Sequence, residues 1–196
     1  GNWSRDNCQQ LLPDVFAPRE GETALLIVDS PHEQCPDHAD WKDRRLMAAE
    51  WREAFTDIGV SCPPLVSYKA TGANNANLPR SAYQDDTEID LTTAVSASQI
   101  VVAMTEYSAT APLSAFVKEC ENLRVASMPG VLRRMEQSAL AADYKKVAER
   151  VHLLADFLTQ ATAAHLVFDT GDEVAFDLRH RRGLSDDGLC TPDKTG

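Results

Sequence analysis

His32, Cys35 and His38, with Asp29 and Asp37 close by, bring the donor types of a zinc or iron site into one short stretch. Their H-x-x-C-x-x-H spacing is not an established metal motif, and a metal site needs a complete, fitted ligand set. The stretch therefore reads as a solvated loop, stiffened by Pro31 and Pro36, that leads into a helix. Asp186 and Asp187 put two carboxylates side by side, but adjacent side chains before Gly188 read as a turn. His152 and His165 read as ordinary packed or surface histidines. The chain has no G-x-G-x-x-G after its first apolar run, no G-x-x-x-x-G-K-[ST] and no G-x-S-x-G. Dinucleotide, nucleoside-triphosphate and α/β-hydrolase chemistry thus lack their phosphate cradles and nucleophile elbow.

Charge and composition narrow the partners. Nineteen Lys and Arg against 30 Asp and Glu leave a net charge of -11 over 196 residues. That charge repels a phosphate backbone, so nucleic acid is not an expected partner. The basic cluster Arg179-His180-Arg181-Arg182 stands beside Asp177, Asp186 and Asp187 and reads as a locally neutralised loop. Apolar residues make up 43% and charged residues 25%, the usage of a folded globular domain. No apolar run approaches the roughly 20 residues that cross a bilayer, so no membrane span is expected. Five widely spaced cysteines without a C-x-x-C pair point to reduced thiols and a cytoplasmic setting.

Elements that could position these groups follow from periodicity. Glu22 to Ser30 is a near-continuous aliphatic run, the pattern of a strand covered on both faces. Between Ala39 and Ile58, apolar residues recur at three and four, predicting an amphipathic helix that stops at Gly59. Pro63-Pro64 predicts that any strand in Val60 to Tyr68 is an edge strand or begins after the prolines. Thr71 to Asp86 reads as a long polar loop, mobile or a functional flap. A short helix over Asp90 to Ser98, a buried strand over Gln99 to Thr105, a helix over Pro112 to Cys120 and a strand over Leu123 to Met128 follow. Val131 to Gln160 carries a helical period with a break near Ser138, and alternation on both sides of Gly171 predicts an antiparallel hairpin.

The expected fold is α/β: an open, doubly wound, mainly parallel sheet with helices on both faces, plus a C-terminal antiparallel hairpin. Residues 1–20 read as an N-terminal extension, 21–162 as the α/β domain, and 163–196 as the hairpin and a connection that ends abruptly at Lys194-Thr195-Gly196. In such folds ligands collect at the carboxyl ends of the strands, which nominates Asp29, Ser30, Glu106, Tyr107 and Ser108 as substrate-binding residues, with Asp187 from the later loop. No catalytic or metal-ligating residue is assigned within the chain.

Two resemblances refine this reading. Leu25-Leu26-Ile27-Val28-Asp29 before a loop and helix resembles the opening strand of the isochorismatase-like cysteine hydrolases. That mechanism needs a thiolate at a strand-to-helix turn, and neither Cys62 nor Cys120 occupies one. The second resemblance spans Leu123 to Gly196. Met128-Pro129-Gly130-Val131, Met135, Asp143-Tyr144, Thr170-Gly171-Asp172, Asp186-Asp187-Gly188 and Gly196, in this order, resemble the thermophilic-aminopeptidase metallopeptidases (aminopeptidase T, leucyl aminopeptidase) and their relative 2,5-dihydroxypyridine dioxygenase. The resemblance implies an N-terminal domain without metal ligands, inactive alone, that forms one wall of a cleft. It implies that a divalent metal sits in a further C-terminal domain, the expected partner, and that a homodimer interface lies nearby. An iron ring-opening dioxygenase parent and a stand-alone binding module are the alternatives.

Overall fold

Ala24–Ser30 forms β1, whose first six residues are all buried, as a strand covered on both faces requires. The computed structural model describes residues 3–194; Gly1, Asn2, Thr195 and Gly196, the last of them a member of the family pattern, lie outside the described residues. β1 pairs in parallel with β2 (Val66–Lys69) and with β5 (Ile100–Ala103), and β6 (Arg124–Ser127) is parallel to β5. β3 (Ser81–Gln84) and β4 (Thr87–Asp90) extend the sheet antiparallel beyond β2, giving the order β4-β3-β2-β1-β5-β6. The result is a mainly parallel six-stranded sheet flanked by helices, with a separate two-stranded hairpin.

Two sequence expectations change here. β2 does begin after Pro63-Pro64, but it is an inner strand, because the segment expected to be a long polar loop contains β3, which pairs with β2 and with β4 just beyond that segment. In β3 only Ala82 is fully buried, and the flanking polar residues mask the alternation. Residues 1–20 are likewise more than an extension. α1 (Trp3–Phe16) buries Cys8, Leu11, Leu12, Val15 and Phe16, one helical face, against α2 (Ala39–Asp57), with the Phe16 and Phe55 rings 5.5 Å apart.

The strands' alternation sorts the core. Leu25, Ile27, Val66, Tyr68, Val101 and Ala103 pack with Leu91 and Val95 of α3 (Leu91–Ser96) and Leu113 of α4 (Thr110–Glu119). The intervening Leu26, Val28 and Val102 are equally buried, and α2 packs on β1. The predicted break near Ser138 is a pair of 3-10 turns, Arg133–Gln137 and Ala139–Ala141, ahead of α5 (Tyr144–Gln160). Specific bonds hold the first turn on α2: Arg133 reaches Asp43 at 3.0 Å and Glu50 at 2.7 Å, and the Trp51 indole donates to buried Glu136 at 2.8 Å. Among the described residues, no helix is long and apolar enough to cross a membrane.

The chain divides into two compact units, Gly1–Ala141 with Cys190–Gly196, and Ala142–Leu189. The second contains α5 and the hairpin of β7 (Ala163–Val167) and β8 (Glu173–Asp177). Neither α5 nor the hairpin has a buried residue, although Leu153, Leu154, Phe157, Leu166, Phe168 and Phe176 are all large and apolar.

In the first unit, Arg124 at the start of β6 is 2% exposed and forks onto both oxygens of Glu22 (2.9 and 2.7 Å) while donating to the Phe16 carbonyl at 3.0 Å. Removing one partner strands the other charge in a buried place. Arg124→Ala is therefore expected to lower the unfolding free energy by about 3 kcal/mol in urea titrations. Replacing both partners (Glu22→Leu with Arg124→Met) recovers most of that loss; equal losses in the two variants would refute the buried-pair account.

Candidate functional site

The sheet changes direction between β1 and β5, since the chain leaves β1 toward β2 and returns on its other side. The carboxyl ends of these two strands are where an α/β sheet opens a crevice. Five of the six nominated residues meet there. Asp29, at the end of β1, is completely buried. Its Oδ1 accepts the Trp41 indole N–H (2.9 Å) and the Glu106 amide (2.8 Å), and its Oδ2 accepts the Tyr107 amide (3.0 Å). Burial pushes the Asp29 carboxyl above its usual range, and the three N–H donors only partly oppose that shift. Its carboxylate binds one indole and two backbone amides of the protein itself, joining β1, the first turn of α2 and the loop after β5.

Glu106 faces outward from the same loop. Its Oε2 meets the buried Arg44 guanidinium at 2.6 Å, and its Oε1 lies 3.2 Å from His38 Nε2. Burial disfavours the Glu106 charge, but hydrogen bonds from Arg44 and His38 outweigh it and hold the carboxyl below its usual range. His38 also caps α2: its Nδ1 accepts the Trp41 amide at 3.3 Å. The two contacts together place the ring proton on Nε2, facing Glu106. Tyr107 packs edge-on against Trp41, with ring centroids 6.1 Å apart, and its phenol is held above its usual range by hydrogen bonding to Cys35. Arg45 stacks over the Trp41 ring at 5.5 Å and binds Asp37 at 2.6 Å.

The H-x-x-C-x-x-H stretch is a tight turn in which His32 and Cys35 exchange backbone hydrogen bonds of 3.0 and 2.9 Å. His32 Nε2 lies 2.9 Å from the Ala70 carbonyl, and Cys35 is buried with Trp41 and Ala70. A Cβ at Gly72 would sit 3.3 Å from the Cys35 sulfur, so the loop's approach to the thiol suits a residue without a side chain. Among the described residues, no three His, Cys, Asp or Glu side chains gather as metal ligands.

Ser30 and Ser108 complete the rim. The Ser30 carbonyl accepts the Ala70 amide at 3.0 Å. Ser108 is tied into the Asn-rich segment: its amide donates to Asn74 Oδ1 (2.8 Å), its carbonyl accepts the Asn75 amide (2.7 Å), and its hydroxyl lies 3.2 Å from Asn75 Oδ1. Asn75 Oδ1 also accepts the Ala111 amide at 3.0 Å. The residue before α4, Ala109, has no side chain to cap the helix, and Asn75 supplies the cap from a distant loop. The part of the polar stretch that is loop is thus pinned across the strand ends.

Asp187 belongs to the second unit. It is nearly buried, accepts the Leu189 amide at 3.0 Å and lies 3.2 Å from His152 Nε2. The Asp186-Asp187-Gly188 turn packs on Tyr144: a Cβ at Gly188, whose φ is +71°, would meet that ring at 3.0 Å. Trp41, Arg44 and Asn75 are site residues that spacing did not nominate, and His38, raised only as a possible metal donor, instead meets Glu106 and caps α2. For Trp41 the signal lay in Asp29 itself, since a carboxylate inside an aliphatic run needs buried donors.

At the opposite, amino ends of the strands, Arg19, Glu20, Gln99, Asn122 and Pro192 line a hollow whose Arg124 and Glu22 are bound to each other. No family model, no curated protein and no solved structure matches this chain.

Asp29→Asn presents an amide N–H₂ where a carboxylate oxygen accepts, and is expected to cost about 1–3 kcal/mol. The pH dependence has a definite sign. Because burial raises the folded-state pKa of Asp29, the folded protein holds more protons than the unfolded one between the ordinary and raised values. That contribution is full below the unfolded pKa and is lost as pH rises through the folded one. The stability gap between wild type and Asp29→Asn should therefore narrow from acidic to neutral pH in urea titrations; a widening gap contradicts the assignment. Asn75→Ala removes the distant cap and should cost about 1 kcal/mol while speeding proteolytic cleavage between residues 71 and 80. Unchanged cleavage would count against the pinned loop.

Proposed function

We propose that this chain is the N-terminal, metal-free domain of an aminopeptidase-like metalloenzyme, with a doubly wound sheet whose Glu106, Tyr107 and Ser108 rim forms one wall of the cleft. The observation that carries the reading is the surface of the second unit. α5 and the hairpin expose Leu153, Leu154, Phe157, Leu166, Phe168 and Phe176 without burying any residue. Exposed large apolar side chains in this number are what a face covered by another body would present. The motif pieces of the resemblance have structural roles that agree with it. Asp143 caps α5 through the Lys146 amide at 3.2 Å, Thr170 and Asp172 bond across the hairpin turn at 2.8 Å, and Gly188 accommodates Tyr144.

On this reading the metal ligands belong to the domain that covers the second unit, and the metal there would activate water and polarise the scissile carbonyl. The residues of this chain shape and rigidify the wall: Asp29 fixes the loop that bears Glu106 and Tyr107, and Asn75 fixes Ser108. A stand-alone small-molecule module built on Asp29 gains no support, since that carboxylate is buried and bonded internally.

The 196-residue chain incubated with zinc or cobalt is expected to leave leucine-p-nitroanilide intact, whereas a longer parent chain cleaves it. Hydrolysis by the 196-residue chain alone overturns the proposal. Iron, with ring opening of a dihydroxypyridine, in the longer parent would replace the peptidase with the dioxygenase.

A further inference from the structure

The hairpin has two outer edges, and they differ in kind. Phe168 donates to the Asp172 carbonyl at 2.9 Å and Leu178 to the Thr162 carbonyl at 3.0 Å, which fixes the parity of the ladder. With the register Ala164 to Phe176 and Leu166 to Val174, even-numbered residues of β7 bond to β8. Ala163, His165 and Val167 therefore turn their amides and carbonyls away from β8. Such an edge is a template for another strand unless charge, proline or a bulge protects it, and β7 has none of these outside His165.

We infer that β7 pairs antiparallel with β7 of a second copy of this chain, across a two-fold axis at His165, to form a four-stranded sheet. The outward-facing residues are centred on His165, so the axis sets Ala163 opposite Val167 of the other copy, and His165 opposite its counterpart. Each outward N–H then meets an outward carbonyl, and no outward group of the strand is left over. Like charges decide between the two edges. The same operation on β8 would set Glu173 opposite Asp177 twice, and carboxylates directly opposed on one face destabilise a pair. On β7 every opposed pair outside the axis is apolar.

The two-fold keeps faces together. Ala164, Leu166, Val174 and Phe176 share one side of the hairpin and would form one apolar surface twice as wide in the dimer. Little of the chain's net charge opposes the approach, since residues 163–182 carry four carboxylates against three arginines. This pairing uses the sheet's edge and leaves its apolar face available, so it does not depend on the metalloenzyme reading.

Sedimentation equilibrium of the 196-residue chain over a hundredfold concentration range tests the pairing. The expected result is a monomer–dimer equilibrium that His165→Pro weakens at least tenfold. That substitution deletes the outward amide and no bond to β8. His165→Ala, which keeps the amide, and Ala175→Pro, which deletes the equivalent outward amide of β8, should both still dimerise. A wild-type chain that stays monomeric throughout, or a dimer disrupted by Ala175→Pro and indifferent to His165→Pro, overturns the inference.

Discussion

A single buried carboxylate organises the working end of the sheet. Asp29 terminates an otherwise aliphatic strand, and in that environment an unpaired charge would be prohibitive. Three N–H groups from two separate chain segments answer it, so β1, α2 and the loop after β5 must reach their places together. The Glu106 pair with Arg44 and the Tyr107 contact with Trp41 are consequences: both side chains project from the loop that Asp29 holds.

The two units are stabilised by different means. In the first, burial is deep on both faces of the sheet, and the few internal charges, Asp29, Arg44, Arg124 and Glu136, are each met by hydrogen bonds. The second has regular backbone structure with an exposed apolar surface. A lone two-stranded hairpin is marginal in water, so its order depends on what it is joined to. This contrast connects the proposed function with the dimer: one concerns the hairpin's face, the other its edge.

The sheet's centre was legible from the sequence, because the runs at β1 and β5 are short, aliphatic and bounded by turn residues. The hairpin was legible from alternation on either side of Gly171. β3 and β4 were hidden by Ser81, Gln84, Thr87 and Glu88, whose polarity hid the signal that buried Ala82 would otherwise give. α1 was not legible, because its apolar face has meaning only against α2. Strand-end logic brought Asp29, Ser30, Glu106, Tyr107 and Ser108 to one place, yet it did not reveal that Asp29 faces inward; that depends on Trp41 and on loop amides that no spacing rule specifies.

Asn75 sits in a left-handed backbone conformation, with φ of +59°, and lends its side chain to a helix that begins more than thirty residues later. Helix and loop are thereby coupled in inheritance as well as in space. A deletion within residues 71–80 would take the acceptor away from the Ala111 amide, and lengthening the turn before α4 would carry that amide away from Asn75. The segment with the most polar and apparently permissive composition is thus the one whose length is least free to vary.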